Sequence, residues 1–122
     1  MHLPIELKYF DLHEFDCPTL PNSGINMDQT FLRMLDEARG IADVAFIINS
    51  GYRSEEHNSA VGGSANSSHL RGYACDISCK KGIDRERIVN ALMQVGFRRF
   101  GIAESFIHVD NDPDKNPSIW LY

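Results

Sequence analysis

"NSSHLRGYACDIS", residues 66–78, carries the chain from a loop into a strand, and its reading decides how the rest is assembled. The Asn-Ser-Ser start and Gly72 have the composition of a loop, while "YACDIS" alternates as a strand does. His69 and Asp76 are metal-competent side chains set among small and apolar residues, where a core strand needs neither. Upstream, "VAFIINS" (44–50) is a short β-branched apolar run closed by Ser-Gly, the pattern of a buried strand. Between them "GYRSEEHNSAVGGSANSSHLRG" (51–72) has no sustained apolar period, which predicts a long functional loop carrying at most short helical turns.

The segments outward from this centre read more simply. In "MDQTFLRMLDEARG" (27–40), Phe31, Met34, Leu35 and Ala38 recur at helical spacing, with Gly40 as the expected stop. "GIDRERIVNALMQVG" (82–96) predicts a second helix with Asp84 as N-cap, an apolar stripe of Ile88, Leu92 and Val95, and Gly96 at its end. "FRRFGIA" and "SFIHVD" follow as two short strands. The first 26 residues read as an irregular arm lying on the body, and the tail "NDPDKNPSIWLY" as a turn-rich segment whose apolar end docks back. The order is helix, strand, loop, strand, helix, strand, strand. It describes one α+β domain with a small, mainly antiparallel sheet flanked by helices.

Composition narrows the function. A chain of 122 residues is one domain with one core, and its 43% hydrophobic and 24% charged residues are those of a globular protein. A net charge of −5 argues against nucleic acid as a partner, because phosphate binding needs a basic footprint. The local runs "DRER" and "FRRF" read as solvated faces. No stretch approaches a membrane span, and the start shows no secretory leader; the expectation is synthesis in the cytoplasm and action elsewhere only by another route. Cys17, Cys75 and Cys79 are expected as reduced thiols. In one strand, the last two would lie about 13 Å apart, too far to bridge, and would pack in the core opposite Asp76.

Metal ligands must converge from separate elements, and the candidates are His57, His69, Asp76, His108 and Asp110. If the strands carrying Asp76 and His108 are neighbours, those two residues can face each other while His69 closes from the loop. Three protein ligands leave a fourth position open, the arrangement of a catalytic site. The spacing alone fits equally well with ordinary structural His and Asp residues.

The words around these residues add more. Ser50-Gly51-Tyr52-Arg53-Ser54, then Ser68-His69-Leu70-Arg71-Gly72-Tyr73-Ala74-Cys75-Asp76, then His108-Val109-Asp110 follow the pattern S-G-Y-R-S, S-x-H-x-x-G-x-A-x-D and a late H-x-D. The chain thereby resembles the zinc D-alanyl-D-alanine carboxypeptidase family of peptidoglycan peptidases, within the wider group of lysostaphin-type enzymes and the hedgehog signalling domain. "FDLHEFDCP" and "FRRFGIAESFIHVD" extend the resemblance over nearly the whole chain.

The resemblance implies an α+β peptidase fold and one zinc ion held by His69, Asp76 and His108. It implies that Arg53 stabilises an oxyanion or holds a substrate carboxylate. Ser50, Tyr52 and Ser68 would line the substrate site, and Gly62, Gly63 and Gly72 would permit the turns that bring His69 round. His57 is expected to be a loop residue only. Relatives carry an acid three positions before the last zinc histidine, where this chain has Ser105. Glu104 is therefore the expected general base, reaching the site if 104–110 is a regular strand, with Asp110 next or orienting His108 or Arg53. The implied function is a monomeric zinc peptidase. It would cut bonds next to D-amino acids in peptidoglycan stem peptides, as a carboxypeptidase or an endopeptidase. Its place would be the periplasm, the cell wall or a virion, if encoded by a phage for lysis or entry. The competing expectation is a zinc-containing wall-binding module without catalysis. A metal-dependent nuclease is disfavoured by the acidic charge.

Overall fold

The computed structural model describes residues 5–122, so the first four residues of the expected arm lie outside the described residues. Three α-helices, α1 (Gln29–Ala42), α2 (Glu55–Ala60) and α3 (Gly82–Gln94), accompany five strands: β1 (Ile47–Ser50), β2 (Ala74–Ser78), β3 (Arg99–Ile102), β4 (Phe106–Asp110) and β5 (Ser118–Leu121). The strands form one sheet in the order β1-β2-β4-β3-β5; only the β3–β5 pair is parallel. The fold class is the α+β arrangement expected.

Local chemistry sets most boundaries. Asp28 caps α1 by accepting from the Phe31 amide at 2.9 Å. Gly40 does not stop this helix: α1 runs on to Ala42 and is closed by Asp43 in the left-handed region at φ 55°, a conformation in which an Asp can stand in for glycine. Asp84 is not the N-cap of α3 either. The helix begins at Gly82, and Asp84 sits inside its first turn, where its charge still opposes the helix dipole. The long loop carries α2 and a 3₁₀ turn at Ser68–Arg71. The arm adds two 3₁₀ turns, Leu12–Phe15 and Ser23–Asn26, and buries Phe15 completely.

Strand alternation divides the sheet into two chemically distinct faces. Cys75 and Ile77 of β2, Phe100 of β3, and Ile107 and Val109 of β4 join Phe31, Leu32 and Leu35 of α1 and Ile88 and Leu92 of α3 in one buried cluster. Each large side chain fully buried there contributes about 1.5–3 kcal/mol. The other face is polar and aromatic. Register aligns one row across it: Ser50 opposite Asp76, Asp76 opposite His108, His108 opposite Gly101, and Gly101 opposite Trp120.

The turn that delivers His69 to this face depends on Gly72. Gly72 closes the 3₁₀ turn at φ 77°, and a Cβ there would come within 2.2 Å of the Asn26 carbonyl oxygen. Gly72→Ala is therefore expected to cost about 1–3 kcal/mol in urea unfolding, through a strained φ and a backbone clash. Unchanged stability would show that the turn tolerates a side chain.

Candidate metal centre

Asp76 and His108 face each other on β2 and β4, and His69 reaches them from the 3₁₀ turn. His69 Nε2 lies 3.3 Å and His108 Nδ1 3.0 Å from Asp76 Oδ1. The three residues offer ligand atoms all within 4.8 Å of one another. Two imidazole nitrogens and one carboxylate oxygen are a donor set that zinc accepts.

The opposite ring nitrogens are tied down in a way that frees these donors. His69 Nδ1 lies 2.8 Å from the Gly51 carbonyl, which can only accept, so Nδ1 carries a proton and Nε2 is the nitrogen facing Asp76, where a metal ion would take the place of a proton. His108 Nε2 lies 2.8 Å from Asp110 Oδ2, and a carboxylate in that place orients the ring with Nδ1 toward Asp76. Asp110 is itself fixed by Arg99 Nε at 2.7 Å and by the Asp112 amide at 3.1 Å.

Burial opposes charge on Asp76, His108 and Asp110, and their hydrogen bonds outweigh it. Burial pushes the Asp76 carboxyl up, yet His108 and His69 hold it well below the usual carboxylate range. Burial pushes His108 down, yet hydrogen bonds to Asp110 and Asp76 raise it above an ordinary histidine. Burial likewise raises Asp110, and His108 and Arg99 bring it below its usual value.

Asp76 divides its oxygens between two tasks. Oδ2 accepts from Arg53 at 3.4 Å, and the same guanidinium donates to Ser50 Oγ at 3.0 Å and Asn58 Oδ1 at 3.3 Å. Arg53 thus enters the site as a braced fork of donors. The cavity over the centre, about 420 Å³, is lined by Arg53, Ser68, His69, Asp76, Arg99, Phe106, His108, Asp110, Lys115, Trp120 and Tyr122, together with residues of the 62–67 loop.

Other expected site residues fall elsewhere. Ser50 acts through Arg53 rather than lining the cavity, and Tyr52 packs against the core. Ser68 lines the cavity, but its hydroxyl is 2.7 Å from Asp112, and Lys115 Nζ donates to it at 2.8 Å. Arg71 also pairs with Asp112, so this cluster clamps the His69 turn to the segment after β4. His57 belongs to α2 and takes no part in the donor cluster. A regular strand through 104 would place Glu104 beside His108. Residues 104 and 105 instead form an exposed bend before β4, and Glu104 is absent from the cavity wall; its carbonyl accepts from Arg85 at 2.7 Å. Cys75 and Cys79 are buried free thiols, as expected; Cys79 lies just past the end of β2. Asn58, Arg99, Trp120 and Tyr122 were not anticipated. The alternation Ser118, Trp120, Tyr122 against Ile119, Leu121 was the available signal for the last two.

Residues 8–110 match the Peptidase M15 family, a span containing the three donors, Arg53 and Asp110. No curated protein matches the chain.

A proton and a metal ion compete for Nδ1 of His108. Its pKa is raised, so the site is open to metal at higher pH and must expel a proton at lower pH. Zinc affinity is expected to fall by about tenfold per pH unit below that raised pKa. Competition titration with a chromophoric chelator across about pH 8 to pH 5 checks this; a flat affinity over that range would contradict the assignment. His69→Ala should abolish tight zinc binding in the same assay.

Proposed function

This chain belongs to the Peptidase M15 family, and from that premise we propose that it is a zinc peptidase acting on bonds that adjoin D-amino acids in peptidoglycan stem peptides. The observation that carries the reading is the convergence of His69, Asp76 and His108 from three separate elements on one side of a cavity that also holds Arg53. Bound there, zinc supplies Lewis acidity toward a carbonyl oxygen and toward water.

The chain's own residues supply position and charge. Arg53, braced by Ser50 and Asn58, offers its guanidinium to an oxygen of the substrate, either the carbonyl as it gains charge or a terminal carboxylate. Asp110 is a positioning residue: it holds His108 by Nε2 and is itself held by Arg99. Besides Asp76, it is the only acid among the described residues that line the cavity, so we assign the loss expected for an acid-to-amide change to Asp110 and not to Glu104. All three donors and the cavity belong to one chain, so the reading needs no second copy. Among the described residues no helix is long and apolar enough to cross a membrane. The place of action that fits the substrate is the cell wall, reached by export or from a phage particle.

Mass spectrometry of defined muropeptides incubated with the zinc-loaded chain tests the reading. Chelator-sensitive loss of a terminal D-alanine is the carboxypeptidase outcome, and splitting of a crosslink is the endopeptidase outcome. Zinc-loaded protein that yields neither would leave the wall-binding module as the better account. Asp110→Asn is expected to lower zinc affinity by about 10–100-fold and turnover with it. Glu104→Gln should stay within about threefold of the parent; a loss on the order of 10²-fold would return the base to Glu104.

A further inference from the structure

The family match ends at residue 110, but the cavity does not. One wall comes from the tail, where β5 runs parallel to β3 and presents Trp120 and then Tyr122 on the face that carries the metal donors. The Trp120 ring centroid is 5.4 Å from that of His108. Tyr122 lies 6.5 Å from Trp120 and 5.0 Å from Phe106 of β4, so the rings form a continuous apolar surface beside the donors.

A glycine makes this surface possible. Gly101 stands in the row between His108 and Trp120, and a Cβ there would lie 2.6 Å from both Trp120 Nε1 and Tyr122 Cε2. Any side chain at 101 would lift both rings away from His108. The rings are not sealed into the core: Tyr122 is 68% exposed, and Trp120 is only half-buried. Aromatic surface beside a polar centre and left open to a cavity is a usual form of ligand-contacting wall.

We propose that Trp120 and Tyr122 form a specificity subsite that takes the uncharged aliphatic side chain of the substrate residue next to the scissile bond. The proposal rests on the peptidase reading above and names the element that would set its preference. Distance argues for the adjacent residue, because a group lying on Trp120 is within one residue's reach of the His108 donor. Charge argues for an aliphatic group. Arg99, which lies 5.1 Å over the Trp120 ring, is already matched by Asp110, so at Trp120 the wall offers apolar contact rather than a free charge.

Trp120 is the single tryptophan of the chain, so its emission reports on this wall directly. The zinc-loaded full chain is titrated with a stem pentapeptide ending in D-alanyl-D-alanine. Turnover is then compared for peptides carrying alanine, glycine or lysine next to the scissile bond. The expected result is a saturable change in emission and a preference for alanine over glycine and lysine. Trp120→Ala should raise KM by about tenfold with little change in kcat and erase the preference for alanine, and Trp120→Phe should restore most of both. The proposal is overturned if Trp120→Ala keeps the parent's KM and preference, or if the parent's emission does not respond to the peptide. Turnover with an unresponsive tryptophan would retain the peptidase and remove the subsite. A saturable response without turnover would retain the subsite as a binding wall and remove the peptidase.

Discussion

Asp76 and His108 stand directly opposite each other on neighbouring antiparallel strands, and the rest of the site is arranged around that pair. In a strand, register is an all-or-none property. A one-residue slip of β2 against β4 would turn Asp76 into the core, bring Cys75 to the polar face and break the pairing with His108. The buried cluster on the other face, which includes Cys75, Ile77, Ile107 and Val109, therefore fixes the position of the donors as firmly as any polar contact does. Stability and site geometry share one constraint, because the same alternation that buries the apolar set aligns the ligands.

The polar face pays for its burial by pairing its charges. Asp76, His108, Asp110 and Arg99 form a chain of contacts from the metal donors on β2 and β4 to β3, and Ser68, Arg71 and Lys115 surround Asp112 in a second cluster that anchors the His69 turn. Burial pushes the carboxyls of Asp76, Asp110 and Asp112 up, but their partners hold all three below the ordinary range. Their contribution to stability is thus present above the ordinary carboxylate range and is lost as pH falls through the lowered values. His108 works in the opposite sense: its raised pKa contributes below the unfolded value and is lost as pH rises through the folded one. A metal ion bound at His108 would take the place of that proton and tie the stability of the centre to its occupancy.

Much of this was legible in the sequence because it rests on local signals. The loop composition of 51–72, the alternation of "YACDIS" and the helical spacing of Phe31, Leu35 and Ala38 each report on near neighbours along the chain, and the structure realises them as loop, strand and helix. The convergence of His69, Asp76 and His108 was reachable once β2 and β4 were taken as neighbours. What could not be read depends on contacts far apart in sequence. Glu104 was assigned to a strand face by extrapolating a period that the bend at 104–105 interrupts. The aromatic wall needs a parallel pairing between β3 and the tail; the alternation of residues 118–122 marks a strand there, but nothing local names its partner. Gly40 resembled a helix stop, but a following Asp could adopt the left-handed conformation instead, and Gly40 serves to admit the Tyr9 ring, 3.0 Å from where its Cβ would be.

A single zinc ion held by nitrogen and oxygen donors of His69, Asp76 and His108 is the assignment on which the proposed chemistry rests. X-ray absorption at the zinc edge of the metal-loaded chain tests it directly, because zinc–sulfur and zinc–nitrogen or –oxygen distances differ by about 0.2–0.3 Å. The expected result is a first shell of nitrogen and oxygen at about 2.0–2.1 Å with imidazole scattering from two rings and no sulfur. A sulfur shell near about 2.3 Å would contradict it by placing the metal on the cysteines instead.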